Sequence, residues 1–214
     1  IHSITIVGAG TMGNGIAHVC AMAGFPVKLM DSSEEQLRMA LQTIEKNLTR
    51  MAEKQKIKPI EVGASLARIQ TFTDTKQAVS GADMVLEVVP EQLSLKKQIW
   101  SQIEQGIDSK RLKQTIFATN TSSISISELA EGITHPENMI GMHFFNPVPV
   151  MSLVEIILGN KTSEQTFKTV ESLTSELGKT PIRVRDFPGF VSNRILMPMI
   201  NEAIYALHEG VAEK

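Results

Sequence analysis

Of the five histidines in this 214-residue chain, one stands where proton transfer is chemically plausible. His143 follows the apolar run Met139-Ile140-Gly141-Met142 and precedes Phe144-Phe145 and an Asn146-Pro147 turn, while Glu155 lies on a second apolar run, Ser152 to Leu158. A general base working near neutral pH is most often a histidine, and a neighbouring carboxylate fixes its tautomer and stabilises the imidazolium. An antiparallel return of the second run would bring the two together. Histidine and glutamate on neighbouring strands also form ordinary structural pairs, so spacing alone leaves both readings open. His2, His18, His135 and His208 lack a comparable setting and read as surface or packing residues.

A second constellation lies near the start. Ile4-Thr5-Ile6-Val7 breaks into Gly8-Ala9-Gly10-Thr11-Met12-Gly13 and then Ile16-Ala17-His18-Val19, the order of a buried strand, a tight turn and a helix. Gly8 permits the turn, Gly10 leaves the backbone open to a pyrophosphate, and Gly13 lets the helix sit close to the strand. Phosphates would rest on the helix N-terminus at Thr11 and Met12, where free N–H groups and the dipole favour anions. A plain strand-to-helix turn uses the same glycines, and Asp31 discriminates between the readings. It closes the next apolar run, Pro26 to Met30, where a carboxylate accepts from the adenosine ribose and repels the 2′-phosphate of NADP. Asp31 could equally cap the helix beginning near Ser33.

The elements that must position these residues follow from periodicity. Leu37, Ala40, Leu41, Ile44, Leu48 and Met51 give an amphipathic helix from Ser33 to about Ala52, followed by Lys54, Lys56, Lys58 and a shorter helix from Ile60 to Arg68. This helical excursion has a basic elbow that reads either as solvated surface or as a phosphate site. Strands are expected at Ile69 to Thr73, Ala82 to Val89, Thr115 to Thr119, Met139 to Phe145, Ser152 to Leu158 and Thr180 to Val184. Between them lie helices over Leu93 to Gly106, which carries Lys96 and Lys97, and over Glu164 to Leu177. Ser125-x-x-Glu128 reads as a capping box. Strands alternating with helices mean an α/β fold, a doubly wound and mostly parallel sheet. After Asp186-Phe187-Pro188-Gly189 an apolar-faced helix, Phe190 to Glu209, contains Pro198, which should bend it. Residues 1–186 are therefore expected to form a dinucleotide-binding domain, and 187–214 the first helix of an all-helical second domain.

Composition narrows the function. A net charge of −2 with mixed signs argues against nucleic acid, no apolar run reaches membrane-spanning length, and the single Cys20 falls on the apolar side of the first helix. One cysteine excludes an internal disulfide and fits a reducing compartment. No residue set suggests a metal.

The glycine turn, Ala118-Thr119-Asn120-Thr121-Ser122-Ser123, Gly141-Met142-His143-Phe144-Phe145-Asn146-Pro147-Val148-Pro149-Val150-Met151 with Leu153-Val154-Glu155, and Asp186-Phe187-Pro188-Gly189-Phe190-Val191-Ser192-Asn193-Arg194 together closely resemble the L-3-hydroxyacyl-CoA dehydrogenase family. The resemblance covers the whole chain in order, and the block around His143 is its most specific part. It implies a Rossmann-type domain, NAD as cofactor, an acyl-CoA substrate and a helical domain that makes a homodimer. It implies further that His143 is the catalytic base, Glu155 its orienting partner, Ser122 a hydroxyl touching substrate and nicotinamide, and Asn193 an amide holding the substrate oxygen. Glu91, Lys96 and Asn146 match cofactor contacts, and Lys54 matches a lysine reaching the coenzyme A phosphates. Asn47 stands where a close relative of the family has a serine near coenzyme A. A cytoplasmic setting is expected, or the mitochondrial matrix or peroxisome after removal of a targeting segment. A dehydrogenase segment of a multifunctional fatty-acid oxidation protein and a non-catalytic NAD-binding protein are the alternatives.

Overall fold

Short β-branched runs separated by amphipathic helices pack best as a parallel sheet covered on both faces, because only helices can carry the chain back between parallel strands. The computed structural model describes residues 1–213 and has this architecture. Strand β1 (Ile4–Val7) leads through helix α1 (Thr11–Met22) to β2 (Val27–Met30), and α2 (Glu34–Glu53) and α3 (Pro59–Leu66) precede β3 (Ile69–Phe72). Helix α4 (Thr75–Val79), β4 (Met84–Glu87), α5 (Leu93–Gly106), α6 (Ser109–Leu112), β5 (Ile116–Thr119) and α7 (Ile126–Ala130) follow. A 3₁₀ turn at Pro136–Asn138 opens β6 (Met139–Phe144), after which come β7 (Leu153–Leu158), α8 (Glu164–Glu176), β8 (Thr180–Arg185) and α9 (Ser192–His208).

The eight strands form one sheet in the order β3-β2-β1-β4-β5-β6-β7-β8. The first six of these are mutually parallel; β7 runs antiparallel to β6, and β8 parallel to β7. Winding reverses between β1 and β4. Loops leaving the carboxyl ends of those two strands therefore diverge and open a crevice, where ligands bind in such sheets. One core layer packs α1, α2 and α8 on the sheet through residues such as Ile16, Ile44, Leu48 and Phe167. The opposite layer centres on Trp100, Ile103, Phe117 and Leu129. Leu37, Ala40, Ile44 and Leu48 form the buried row of α2, as their spacing predicts.

Several boundaries differ from expectation for local reasons. Strand β4 stops at Glu87 because the Glu87 carboxylate accepts from the Val89 N–H at 2.7 Å and turns the chain out of the sheet. Helices α4 and α6, of five and four residues, are too short to show a period and go unread in the sequence. The capping box at Ser125 is half formed. Ser125 Oγ accepts from the Glu128 N–H, but the second acceptor is Asp186, which takes the Ser127 N–H at 2.8 Å and the Ser125 hydroxyl at 2.7 Å. Helix α9 starts at Ser192 rather than Phe190, since Gly189 and Phe190 both have positive φ (79° and 48°). It runs on through Pro198, buries none of its residues, and exposes Ile195, Met197, Met199, Ile200 and Ile204. No helix of the described residues is long and apolar enough to cross a membrane.

Candidate active site

The crevice is a cleft of about 1290 Å³ that runs from the glycine turn, past Asp31 and Gln36 at one end, to Ser122, His143, Phe145 and Asn146 at the other. Two of the three glycines are required by the fold itself. Gly8 has φ +111° and a Cβ there would lie 2.7 Å from the Val88 carbonyl oxygen, while at Gly13 it would lie 1.8 Å from the Gly8 oxygen. Gly10 is different, because a Cβ there would meet nothing within 4 Å and its φ of −63° suits any residue. It fronts the N-terminus of α1, which has no side-chain cap, so the first-turn N–H groups at Thr11 and Met12 face the cleft. Bare donors, the helix dipole and open space above Gly10 fit a pyrophosphate.

Asp31 stands at the rim. Its Oδ2 accepts from the Ala9 N–H at 2.9 Å and its Oδ1 from the Ser33 N–H at 3.0 Å, which fixes the carboxylate beside the glycine turn. The cap of α2 is Ser33, whose hydroxyl accepts from the Gln36 N–H. Asp31 is thus left for the cleft. Gln36, unnoticed in the sequence, donates to the Ala9 carbonyl at 3.0 Å and braces the same turn.

At the other end the antiparallel register of β6 and β7 pairs His143 with Glu155, so both side chains leave the same face of the sheet. His143 Nδ1 lies 2.7 Å from Glu155 Oε2, and Nε2 is the ring nitrogen left for the cleft. Phe145 packs on the imidazole with ring centroids 4.5 Å apart, and Phe190 lies at 6.1 Å. Glu155 is fully buried. Its second oxygen, Oε1, accepts from the Val191 and Ser192 N–H groups at 3.1 and 2.8 Å and from the Ser192 hydroxyl at 3.0 Å. One carboxylate therefore orients the histidine and caps the N-terminus of α9. Burial works against its ionisation, but the hydrogen bonds from His143 and Ser192 outweigh burial and hold the carboxyl below the usual range.

Between these ends lies the turn after β5. Glu91 Oε1 accepts from the Ser122 and Ser123 N–H groups at 2.8 and 3.1 Å and from the Thr121 hydroxyl, so the turn is built on this carboxylate. Burial opposes the charge on Glu91, but the Thr121 and Ser122 hydrogen bonds and the Lys96 charge hold its carboxyl low. Asn193, in the first turn of α9, donates its amide to the Ser122 carbonyl oxygen at 3.1 Å, and Asn120 Oδ1 accepts from the Phe144 N–H at 2.9 Å. Ser122, His143, Glu155 and Asn193 are thus joined through hydrogen bonds although they come from four segments. Asn146 lies on the cleft wall, in a connection whose Val148 and Met151 carbonyls are held by the Lys179 ammonium.

Lys96, which the resemblance matches to a cofactor contact, lies next to the cleft residues Val89 and Glu91. Its side chain is fully buried behind the cleft wall, with Nζ at 2.7 Å from Glu87 Oε1 and 3.5 Å from Glu91 Oε2. Asn47 and Lys54 do not join the cluster. Both lie toward the far end of α2, which spans ~30 Å at 1.5 Å per residue, and Lys54 is exposed beside Lys56 and Lys58. Cys20 and His18 are core residues: burial pushes the Cys20 thiol up to about 12, and burial with the nearby Lys179 pushes His18 down to about 4. Sequence reasoning missed Glu87, Thr119 and Ser192. Thr119 and Ser192 fall inside the motifs that carry the resemblance but had no role of their own there, Glu87 falls in none, and each matters through a partner distant in sequence.

A glycine turn before an uncapped helix N-terminus, a carboxylate at the end of β2 and a carboxylate-backed histidine at the far end of one cleft are the arrangement expected of a nicotinamide-dependent dehydrogenase. Comparison with known proteins narrows the class. Residues 3–187 match the model of the 3-hydroxyacyl-CoA dehydrogenase NAD-binding domain and residues 189–214 that of the 3-hydroxyacyl-CoA dehydrogenase C-terminal domain, and the chain belongs to this family. A protein described as a probable 3-hydroxybutyryl-CoA dehydrogenase of Bacillus subtilis is 45% identical over 213 residues, 100% of this chain and 72% of that protein. The crystal structure of (S)-3-hydroxybutyryl-CoA dehydrogenase PaaH1 from Ralstonia eutropha superposes with a TM-score of 0.94 at 45% identity, covering 100% of this chain and 74% of that one. A fatty acid oxidation complex subunit alpha of Acinetobacter baumannii is 41% identical over 198 residues, 92% of this chain and 27% of that protein.

Proposed function

We propose that this protein interconverts L-3-hydroxyacyl-CoA and 3-ketoacyl-CoA with NAD, acting on short acyl chains of the 3-hydroxybutyryl kind. The observation that carries this reading is the His143–Glu155 pair, 2.7 Å apart, at the end of the dinucleotide cleft with Ser122 and Asn193 beside it. NAD, when bound, supplies the hydride acceptor. The chain supplies the proton acceptor and the geometry. With Nδ1 donating to Glu155, Nε2 presents a lone pair that takes the C3 hydroxyl proton during oxidation and returns it during reduction. Glu155 stabilises the imidazolium that forms. Ser122 and Asn193, a hydroxyl and an amide near the same spot, hold the C3 oxygen, which gains negative character on the way to the alkoxide.

Substrate enters between the sheet domain and α9, so the site is shared between the two family domains. The named relatives support the short-chain preference, and the exposed apolar row on α9 supports burial of that helix within a homodimer of the complete protein. The test is loss of NADH absorbance with acetoacetyl-CoA and with a long-chain 3-ketoacyl-CoA. The reading requires faster turnover of acetoacetyl-CoA; no turnover of either thioester removes it.

A further inference from the structure

The connection between β6 and β7 carries two residues of the cleft, yet it is fastened from outside the site. Phe145, which packs on the His143 imidazole, and Asn146 open this connection. Residues 147–151 then close into a turn, in which the Val150 and Met151 N–H groups both donate to the Pro147 carbonyl oxygen, at 2.9 and 3.0 Å. A carbonyl left unpaired inside a protein costs about as much as a lost hydrogen bond. The Val148 and Met151 carbonyls converge on one cation, the Lys179 ammonium, which donates to them at 2.5 and 2.8 Å. On its other side the turn rests on α1. The Val148 side chain is buried there, and a Cβ at Gly15 would lie 2.9 Å from Val148 Cβ.

The backbone of Lys179 is fixed by its neighbours. It follows Gly178, whose φ of +71° ends α8, and its own N–H donates to the Thr174 carbonyl oxygen at 3.1 Å. The next residue, Thr180, donates its N–H to the Ser152 carbonyl oxygen at 2.7 Å, where β8 first pairs with the chain leaving the turn. The side chain is half-buried, and burial holds the ammonium below the usual lysine range. Among the described residues no carboxylate forms an ion pair with it. Its partners are the two carbonyl dipoles, as when a lysine caps the last carbonyls of a helix. A compact ammonium with three donors can meet two convergent carbonyls at once.

Resting on the reading of the cleft given above, we propose that Lys179 is a positioning residue whose ammonium clamps the turn of residues 147–151 onto α1, holding Asn146 at the cofactor wall and Phe145 against His143. Lys179 is not among the residues that line the cleft, so it acts through the backbone of the connection. Without the ammonium two carbonyls lose their donor, and only the packing of Val148 on Gly15 keeps the turn on α1. Asn146 and Phe145, one and two residues before the turn, are then free to shift. A displacement of about 1 Å in a positioned group costs on the order of 10² in rate, which sets the upper end of the expected effect.

The experiment is Lys179→Met in the natural full-length protein. Backbone amide exchange measured without ligand should accelerate tenfold or more at Val150 and Met151, while the amides of β1 and β4 stay within twofold. The NADH dissociation constant should rise fivefold or more and kcat fall fivefold or more, with KM for acetoacetyl-CoA within twofold. In an Asn146→Ala background the same replacement should change the NADH dissociation constant less than twofold, because the group it positions is gone. Lys179→Cys followed by aminoethylation puts an ammonium back on a side chain of lysine length and should restore exchange and NADH binding to within twofold of wild type. A neutral S-methylthio cap should not. Cys20 is buried with its thiol pushed up to about 12, so the introduced thiol reacts first, and wild type treated with the same reagents is the control. Unaltered exchange at Val150 and Met151 overturns the proposal, as does faster exchange with NADH binding and kcat both within twofold of wild type. Recovery with the neutral cap, no recovery with the ammonium, or an undiminished effect in the Asn146→Ala background overturns it as well. If Lys179→Met does not fold, Lys179→Gln, neutral but still a donor, should speed exchange at Val150 and Met151 at least threefold, and no change there counts against the clamp. Exchange and NADH binding need no thioester, so a wild-type protein inactive on acyl-CoA would refute the proposed reaction without touching the clamp.

Discussion

Glu155→Gln is the most informative single substitution, because the two carboxylate oxygens face donors on opposite sides. Oε2 accepts from His143 Nδ1, and Oε1 accepts from two N–H groups and a hydroxyl at the start of α9. Glutamine has one acceptor and one donor end, so it can satisfy only one side. If its oxygen caps α9, its NH₂ faces Nδ1 and the imidazole must carry its proton on Nε2, the tautomer that cannot accept a proton from substrate. If its oxygen faces Nδ1, the NH₂ points at the N–H groups of the helix terminus, and a charge-assisted cap is lost inside a buried site. The first arrangement costs turnover, on the order of 10² to 10⁴ in kcat by comparison with general-base loss and wrong-tautomer variants. The second costs stability, about 1.5–3 kcal/mol for hydrogen bonds to a charged group. Steady-state kinetics of NADH oxidation and thermal melts of Glu155→Gln, His143→Gln and the double variant separate the two. The double variant should be little slower than His143→Gln, since both act on one imidazole, yet it should keep the destabilisation of Glu155→Gln. A Glu155→Gln variant within threefold of wild-type kcat and with unchanged Tm would refute the reasoning.

Four further outcomes are expected. Gly10→Ala should leave Tm unchanged, since its methyl meets no protein atom, but weaken NADH binding tenfold or more; Gly13→Ala, whose methyl collides with the Gly8 carbonyl, should fail in thermal melts first. NAD should be preferred over NADP, because a charge 4 Å from the Asp31 carboxylate costs about 1–4 kcal/mol between water-like and surface-like dielectric; equal kcat/KM for the two cofactors would contradict this, and Asp31→Ala should narrow the gap. Lys54→Ala should raise KM for a CoA thioester without lowering kcat and leave a pantetheine thioester unaffected, and equal loss on both substrates would assign Lys54 to the fold. Glu155 and Glu91 have carboxyls held below the ordinary value of 4.5, so their stabilisation is complete above that pH and lost as pH falls through their lower folded values. Burial-raised Glu87 acts in the opposite direction and offsets part of the loss. Glu155→Gln should therefore flatten the acid side of the Tm–pH curve, and a curve parallel to wild type would show that Glu155 does not contribute to it.

Much of this protein is determined locally and is therefore legible in the sequence. The glycine turn, the α2 row of Leu37, Ala40, Ile44 and Leu48, and the alternation of strands and helices depend on neighbours a few residues away, so periodicity and turn chemistry identify them. His143 opposite Glu155 was also within reach, because a short hairpin-like return leaves few registers. Tertiary structure decided what depends on groups brought together from distant segments. That Glu155 also caps α9, that Asn193 reaches the Ser122 carbonyl, and that Asp186 takes over half a capping box all depend on the linker after β8 crossing back over the sheet. Lys96 shows the limit most plainly: in the sequence it is one of two lysines in the first turns of an amphipathic helix, and a lysine is seldom fully buried. It is buried here because a carboxylate nine residues earlier, Glu87, ends a strand directly beneath it, and no one-dimensional pattern records that two opposite charges will meet away from water.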